Sequence, residues 1–267
     1  MASGKLELGS VGPGDVVKTP IQWNLPSERE GTELILSVSA RTKSARSLVP
    51  EGHEVAWEQF VLNTGAPVSL GVSEQPARLE QNEESLVVET EISTVSFDRT
   101  TGIMTEFSIL NENILKDKKG FVPNFWRAPI DNDFGNDMHK RCAEWRYASK
   151  HRKLKNMRAE EKDGLVQVLV SYELHNENRE HIADFDIAYT FNGVGQILVE
   201  NAFKRLRKDL SETPRIGLNV ELTKDMEQIS WYGRGPFESY WDRKTGAKIG
   251  IFTSTVGDLY WPYLRPQ

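Results

Sequence analysis

Cysteine is almost missing: Cys142 is the single thiol in 267 residues. That excludes an intrachain disulfide framework and any metal site built from several cysteines. Long apolar runs are missing as well. None approaches the roughly 20 residues that cross a bilayer, so no membrane partner is expected. Nor is there a basic excess. Lys and Arg number 33 against 39 Asp and Glu, a formal charge of −6. A phosphate backbone wants a basic face, so no nucleic-acid partner is expected either. The opening residues, Met1 to Leu6, hold one Lys and no apolar stretch of a signal peptide. A soluble protein is the expectation, with the compartment undecided between cytoplasm and periplasm.

What is present is alternation. Leu34, Leu36, Val38 and Ala40 share one face of an extended segment. Val166, Val168, Val170, Tyr172 and Leu174 share another, as do Ala183, Phe185, Ile187, Tyr189 and Phe191. Ile197, Val199 and Phe203 continue the pattern, then Ile216 to Leu222. A period of two means half-buried strands. Turn residues separate them at 98–102, 192–193 and 243–246. Only 136–157 reads as a helix, with a thin apolar stripe. The fold class is therefore all-β. A Gly- and Pro-bearing stretch over 63–82 marks a boundary, which gives units at 1–68 and 75–267. The first is the size of a small immunoglobulin-like sandwich, with Trp23 and Trp57 as its expected core. The second is large for one sandwich and suits a supersandwich. The sequence stops amid the aromatic stretch Tyr260 to Gln267, which predicts that the second unit is incomplete at its C-terminus.

Two segments carry concentrated polarity. Asn124 to Gly135 sets Arg127, Asp131, Asn132 and Asp133 beside Phe125, Trp126 and Phe134. Sugars want this mixture, planar hydrogen-bonding groups for hydroxyls and an aromatic face for the C–H side of the ring. A loop pinned by Asx turns and an Arg–Asp ion pair has the same composition. The spacing of a calcium loop is absent. Trp231 to Arg243 holds Gly233, Gly235 and Pro236, then Glu238, Tyr240, Asp242 and Arg243. If that stretch is extended, Glu238, Tyr240 and Asp242 project to one side, and the two carboxylates are in principle an acid/base pair. A turn braced by Arg243 on a carboxylate is the alternative. The histidines at 53, 139, 151, 175 and 181 lack metal-ligand spacing and read as surface or satisfied core groups.

These stretches, in order, resemble the C-terminal part of family 2 glycoside hydrolases of the large β-galactosidase type. The resemblance rests on Gly52 to Phe60, Val95 to Gly102, Arg127 to Gly135, Arg215 to Asn219, Gly233 to Arg243 and Tyr260 to Pro266. It implies an immunoglobulin-like domain followed by a galactose-mutarotase-like supersandwich. It also implies that the catalytic Glu pair and a Mg²⁺ site belong to a (β/α)₈ barrel upstream, and that a Trp reaching the active site lies beyond Gln267. On that footing this chain has no catalytic residues and no cofactor of its own. Its partners would be the rest of the parent polypeptide and, weakly, galactose or β-galactosides. Apolar surface left uncovered would favour a homo-oligomer. Arg127, Asp131, Asn132, Asp133, Glu238, Tyr240, Asp242 and Arg243 are the candidate carbohydrate-binding residues. Two other readings are an independent carbohydrate-binding module and an aldose-epimerase-like enzyme using His175 or His181 with Glu238.

Overall fold

The computed structural model describes residues 3–22, 32–65 and 69–260, without the Asp242 side chain. The chain divides into two compact units, 1–68 and 69–267. Strands dominate both, as the alternation predicts.

In the first unit, β1 (Glu33–Arg41) pairs antiparallel with β2 (Glu54–Thr64). The tip is tied by the Thr42 hydroxyl donating to the Pro50 carbonyl at 2.7 Å and by Gly52 N–H donating to Thr42 O at 2.9 Å. Gly52 sits at φ +78°, the left-handed region that glycine enters without strain. Trp57 is half-buried rather than the core residue the sequence suggested. A two-stranded ribbon offers one layer and cannot enclose an indole by itself. Trp23 lies outside the described residues.

The second unit is built on two facing antiparallel sheets. One runs β3 (Arg78–Gln81), β4 (Ser85–Glu89), β5 (Ser93–Asp98), β6 (Met104–Ile109) and β7 (Glu112–Asn113) in sequence order. After the short β8 (Val122–Asn124), the other follows: β9 (Lys153–Lys162), β10 (Leu165–His175), β11 (His181–Phe191) and β12 (Ile197–Arg205). In register, Val168 faces Tyr189, Val170 faces Ile187 and Tyr172 faces Phe185. These pairs point inward together and are excluded from water. Phe97 from the first sheet meets Tyr189 at 5.1 Å and Phe191 at 6.4 Å between ring centroids. Burial pushes the Tyr172 hydroxyl up to about 12, although the Arg152 guanidinium lies 5.7 Å over its ring.

The turn expected at 98–102 is present. The Asp98 carboxylate accepts from the backbone of Thr100 at 3.0 Å and of Thr101 at 2.6 Å. Gly102 at φ +71° packs where an added Cβ would lie 2.6 Å from Val170.

The helix expected over 136–157 is replaced. Short helices α1 (Asp131–Gly135) and α2 (Met138–Arg141) lead to a 3₁₀ turn at Ala143–Trp145, and β9 starts at Lys153. Met138, Cys142, Trp145 and Ala148 do form a buried helical stripe. Leu154 and Met157 do not extend it. A register shift in β9 places Leu154 opposite Tyr172 and Met157 opposite Val170, so an odd spacing serves one sheet face. Cys142 is fully buried, and that burial pushes its thiol up.

The strand expected at 216–222 shrinks to β13 (Gly217–Asn219), paired with β8. Two further strands, β14 (Gln228–Gly235) and β15 (Lys248–Thr255), make a separate ribbon. The stretch 241–246 between them is a 3₁₀ helix. Among the described residues no helix is long and apolar enough to cross a membrane.

Removing the Phe97 ring should leave a cavity between the sheets. Phe97→Ala is expected to lower unfolding stability by about 3–5 kcal/mol, measured by urea denaturation, while Leu110→Ala on the exposed β6–β7 turn changes little.

Candidate functional site

The first polar segment leaves the core at Phe125. That ring is fully buried, stacked on Phe203 at 5.4 Å and edge-on to Phe185 at 5.3 Å. Strand β8 thus fixes where the chain emerges, and Trp126 covers the exit as a partly buried neighbour of the core. Arg127 follows, with its side chain 20% exposed, against an Asp133 side chain at 9%. Both guanidinium amino groups donate to the two Asp133 oxygens, Nη2 to Oδ1 at 2.9 Å. The same carboxylate accepts from Ile130 N–H at 2.9 Å. Arg127 also donates to Ala128 O at 3.3 Å. The hydrogen bonds from Arg127, and then the one from Ile130, hold the Asp133 carboxyl below its usual 3.8 against the opposing effect of burial. Asp131 and Asn132 stand exposed on the first turn of α1.

The second segment begins as β14. Trp231 packs on Phe252 of β15 at 5.5 Å and donates its indole N–H to Arg234 O at 3.1 Å. Arg234 reaches across to Lys244 O at 2.8 Å and Ala247 O at 3.0 Å, closing the loop between the strands. A Cβ at Gly235 would sit 2.7 Å from the Phe252 ring, so a bare backbone is required there. Beyond it, Arg243 pairs with Glu238 at 3.0 Å and lies 5.4 Å over the Phe237 ring. Lys244 caps the exposed Trp241 ring at 3.8 Å.

Arg127 joins the two segments, its guanidinium carbon lying 5.8 Å from the centroid of the Tyr240 ring. Arg127, Asp133 and Tyr240 therefore form one contiguous group, with Glu238 and Arg243 on the loop that carries Tyr240. The extended geometry expected for Glu238, Tyr240 and Asp242 is not found. Tyr240 is extended, but the chain coils into the 3₁₀ helix from Trp241, so the extended run stops before Asp242. The Asp242 side chain lies outside the described residues.

Both ion pairs expected of braced loops are present. A general acid must hold a proton at working pH. Asp133 is tuned the opposite way by its guanidinium. Among the described residues, no group of three or more His, Cys, Asp or Glu is placed to hold a metal.

The linear sequence gave no sign of Arg234 as the loop brace. It also missed the pairing of His175 with His181 across one hairpin, rings 5.3 Å apart. Reading strand register across 176–180 would have found the pair. Their carboxylate contacts are Glu173 and Asp184, on their own strands.

Two protein families match this chain. The one described as Beta galactosidase small chain covers residues 89–267, and the one described as Beta-galactosidase, domain 4 covers residues 1–63. A beta-galactosidase of Priestia megaterium is 35% identical over 241 residues, spanning 90% of this chain and 23% of that protein. A beta-galactosidase of Halalkalibacterium halodurans is 29% identical, spanning 96% of this chain and 25% of that protein. One of Clostridium acetobutylicum is 30% identical, spanning 92% and 26%. The chain thus spans about a quarter of the length of these curated relatives.

Arg127→Met should leave the Asp133 carboxylate desolvated without its cation, costing about 3 kcal/mol, the low end for a buried pair because Arg127 keeps some water contact. The double variant Arg127→Met/Asp133→Leu is expected to recover most of that loss in denaturant titrations. The pair's contribution is complete above pH 3.8 and disappears as pH falls through the lower folded-state value.

Proposed function

The chain belongs to the beta-galactosidase small chain family, and from that membership we propose that it is a non-catalytic C-terminal region of a β-galactosidase, an enzyme that hydrolyses terminal β-D-galactosides. The observation that carries this reading is the order of the matches. Domain 4 at 1–63 is followed by the small chain at 89–267, within relatives about four times as long. On this reading the first unit is the immunoglobulin-like domain and the second the mutarotase-like supersandwich. The catalytic carboxylates and Mg²⁺ belong to other parts of the parent polypeptide.

Retaining glycosidases need one carboxylic acid and one free carboxylate about 5–5.5 Å apart. The geometry here supports an inactive chain, because Asp133 and Glu238, one carboxylate from each motif segment, engage guanidinium groups. What the segments offer instead is a polar, aromatic surface. Tyr240, Arg127, Glu238 and Arg243, with Asp131 and Asn132 at the rim and Asp242 on the same loop, suit weak contact with a galactose unit or bracing of neighbouring parts of the enzyme.

The purified chain should show no turnover of a 2-nitrophenyl β-D-galactoside above the buffer rate, and enzyme-like turnover would overturn the inactive assignment. Calorimetric titration with galactose separates the two roles of the surface. Binding on the order of tens of millimolar that is lost in Tyr240→Ala supports sugar contact, and no heat assigns the loops to bracing.

A further inference from the structure

Three of the five histidines, His151, His175 and His181, meet at one hairpin end, where β10 turns into β11. His175 and His181 are cross-strand partners beside a register shift, with rings 5.3 Å apart and 27° from parallel. His175 is 4% exposed, although it sits one residue from the turn, and its Nδ1 is buried without a hydrogen-bond partner. His151 holds the turn itself, its Nδ1 lying 2.9 Å from Asn176 O.

The charged groups around this end are distributed unevenly. From β9, Lys153 lies in register with Glu173, and Lys155 contacts Asp184 at 3.5 Å. On β11, His181 shares that Asp184 at 2.9 Å. On β10, Glu173 stands 3.8 Å from His175 Nε2. In the turn, Glu180 accepts from the Asn176 side chain at 2.7 Å, with Arg207 at 3.5 Å. Asp184 is thus already engaged by Lys155 and His181, Glu180 is tied to the turn, and among the described residues Glu173 is the carboxylate in contact with His175.

We propose that this hairpin end is an acid-operated latch, closed while a neutral His175 ring fills its buried place against His181 and opened when that ring takes a proton. A charge on His175 has to be accommodated out of water, beside His181 and Lys153, with Glu173 opposing. Burial first, then Lys153 and His181, hold the imidazole below its ordinary 6.5 in the folded chain. The open hairpin binds that proton more readily than the closed one. The closed form is therefore fully favoured above 6.5 and loses ground as pH falls towards the lower folded value. Opening is local, because Val166 and Phe191 at the far end of the same strands pair inside the sandwich core.

Hydrogen exchange on the whole chain tests the latch. The reporting amides are those of Asn176, Arg179 and Leu206, which donate to Glu180 O, Asn176 O and Ile182 O. Their protection relative to the Val166–Val170 amides should fall by as much as about tenfold between about pH 7.5 and about pH 5.5, one unit below the open-state imidazole value. His175→Phe, which keeps a ring in place, should flatten that dependence. In the unaltered chain, the His175 ring followed by NMR should titrate below 6.5. The latch is overturned by equal protection changes at the two ends, by a dependence that survives His175→Phe, or by a ring titrating at or above 6.5, a readout that holds even if the variant does not fold.

Discussion

The stacking of Phe125 on Phe203, with Phe185 edge-on, is the contact through which the polar loops gain a fixed position. Facing sheets make a core wherever alternate residues are apolar. A loop leaving that core is placed only if its first residue cannot slide. Phe125 meets this condition because it is held from two strands of one sheet and also approaches Trp145 at 6.4 Å. The indole of Trp145 is in turn fixed by donating to Ser211. Arg127, two residues on, inherits a narrow range of positions. Its bidentate grip on Asp133 then needs little further ordering of the long side chain.

Much of the fold was legible because strand parity is a local property. The sequence over 166–174 and 183–191 names its inward residues directly, and those residues are the buried ones. The failures share one cause. Leu154 and Met157 are spaced as on a helix, yet the available edge of β10 drew them into a bulged strand, an outcome set by a neighbour in space. The 3₁₀ turn at 241–246 likewise follows from where Arg234 can reach, since its carbonyl acceptors lie ten and more residues away. At the site, composition marked both segments but left open whether Arg127 and Arg243 face ligands or carboxylates. Ion pairing is decided by three-dimensional proximity, and the i to i+6 separation of Arg127 and Asp133 has no periodic signature.

The paired loops share one pattern of contacts. Guanidinium groups lie over Tyr240 and Phe237 and face Asp133 and Glu238, so each cation serves one ring and one carboxylate. At Arg127, which joins the two loops, such coupling makes a single truncation act on both at once, so its effect should not add to that of truncating Tyr240. It also keeps aromatic faces oriented without embedding them, the arrangement that the proposed sugar contact would use.

Cys142 offers a practical consequence of the helical stripe. Its sulfur is sealed against the sandwich with no exposed area, and the thiol is held away from its reactive ionised form. Being the sole cysteine, it is a built-in chemical clock: the rate at which a maleimide or disulfide reagent captures it reports how often the 138–148 segment lifts off, with no engineered label required.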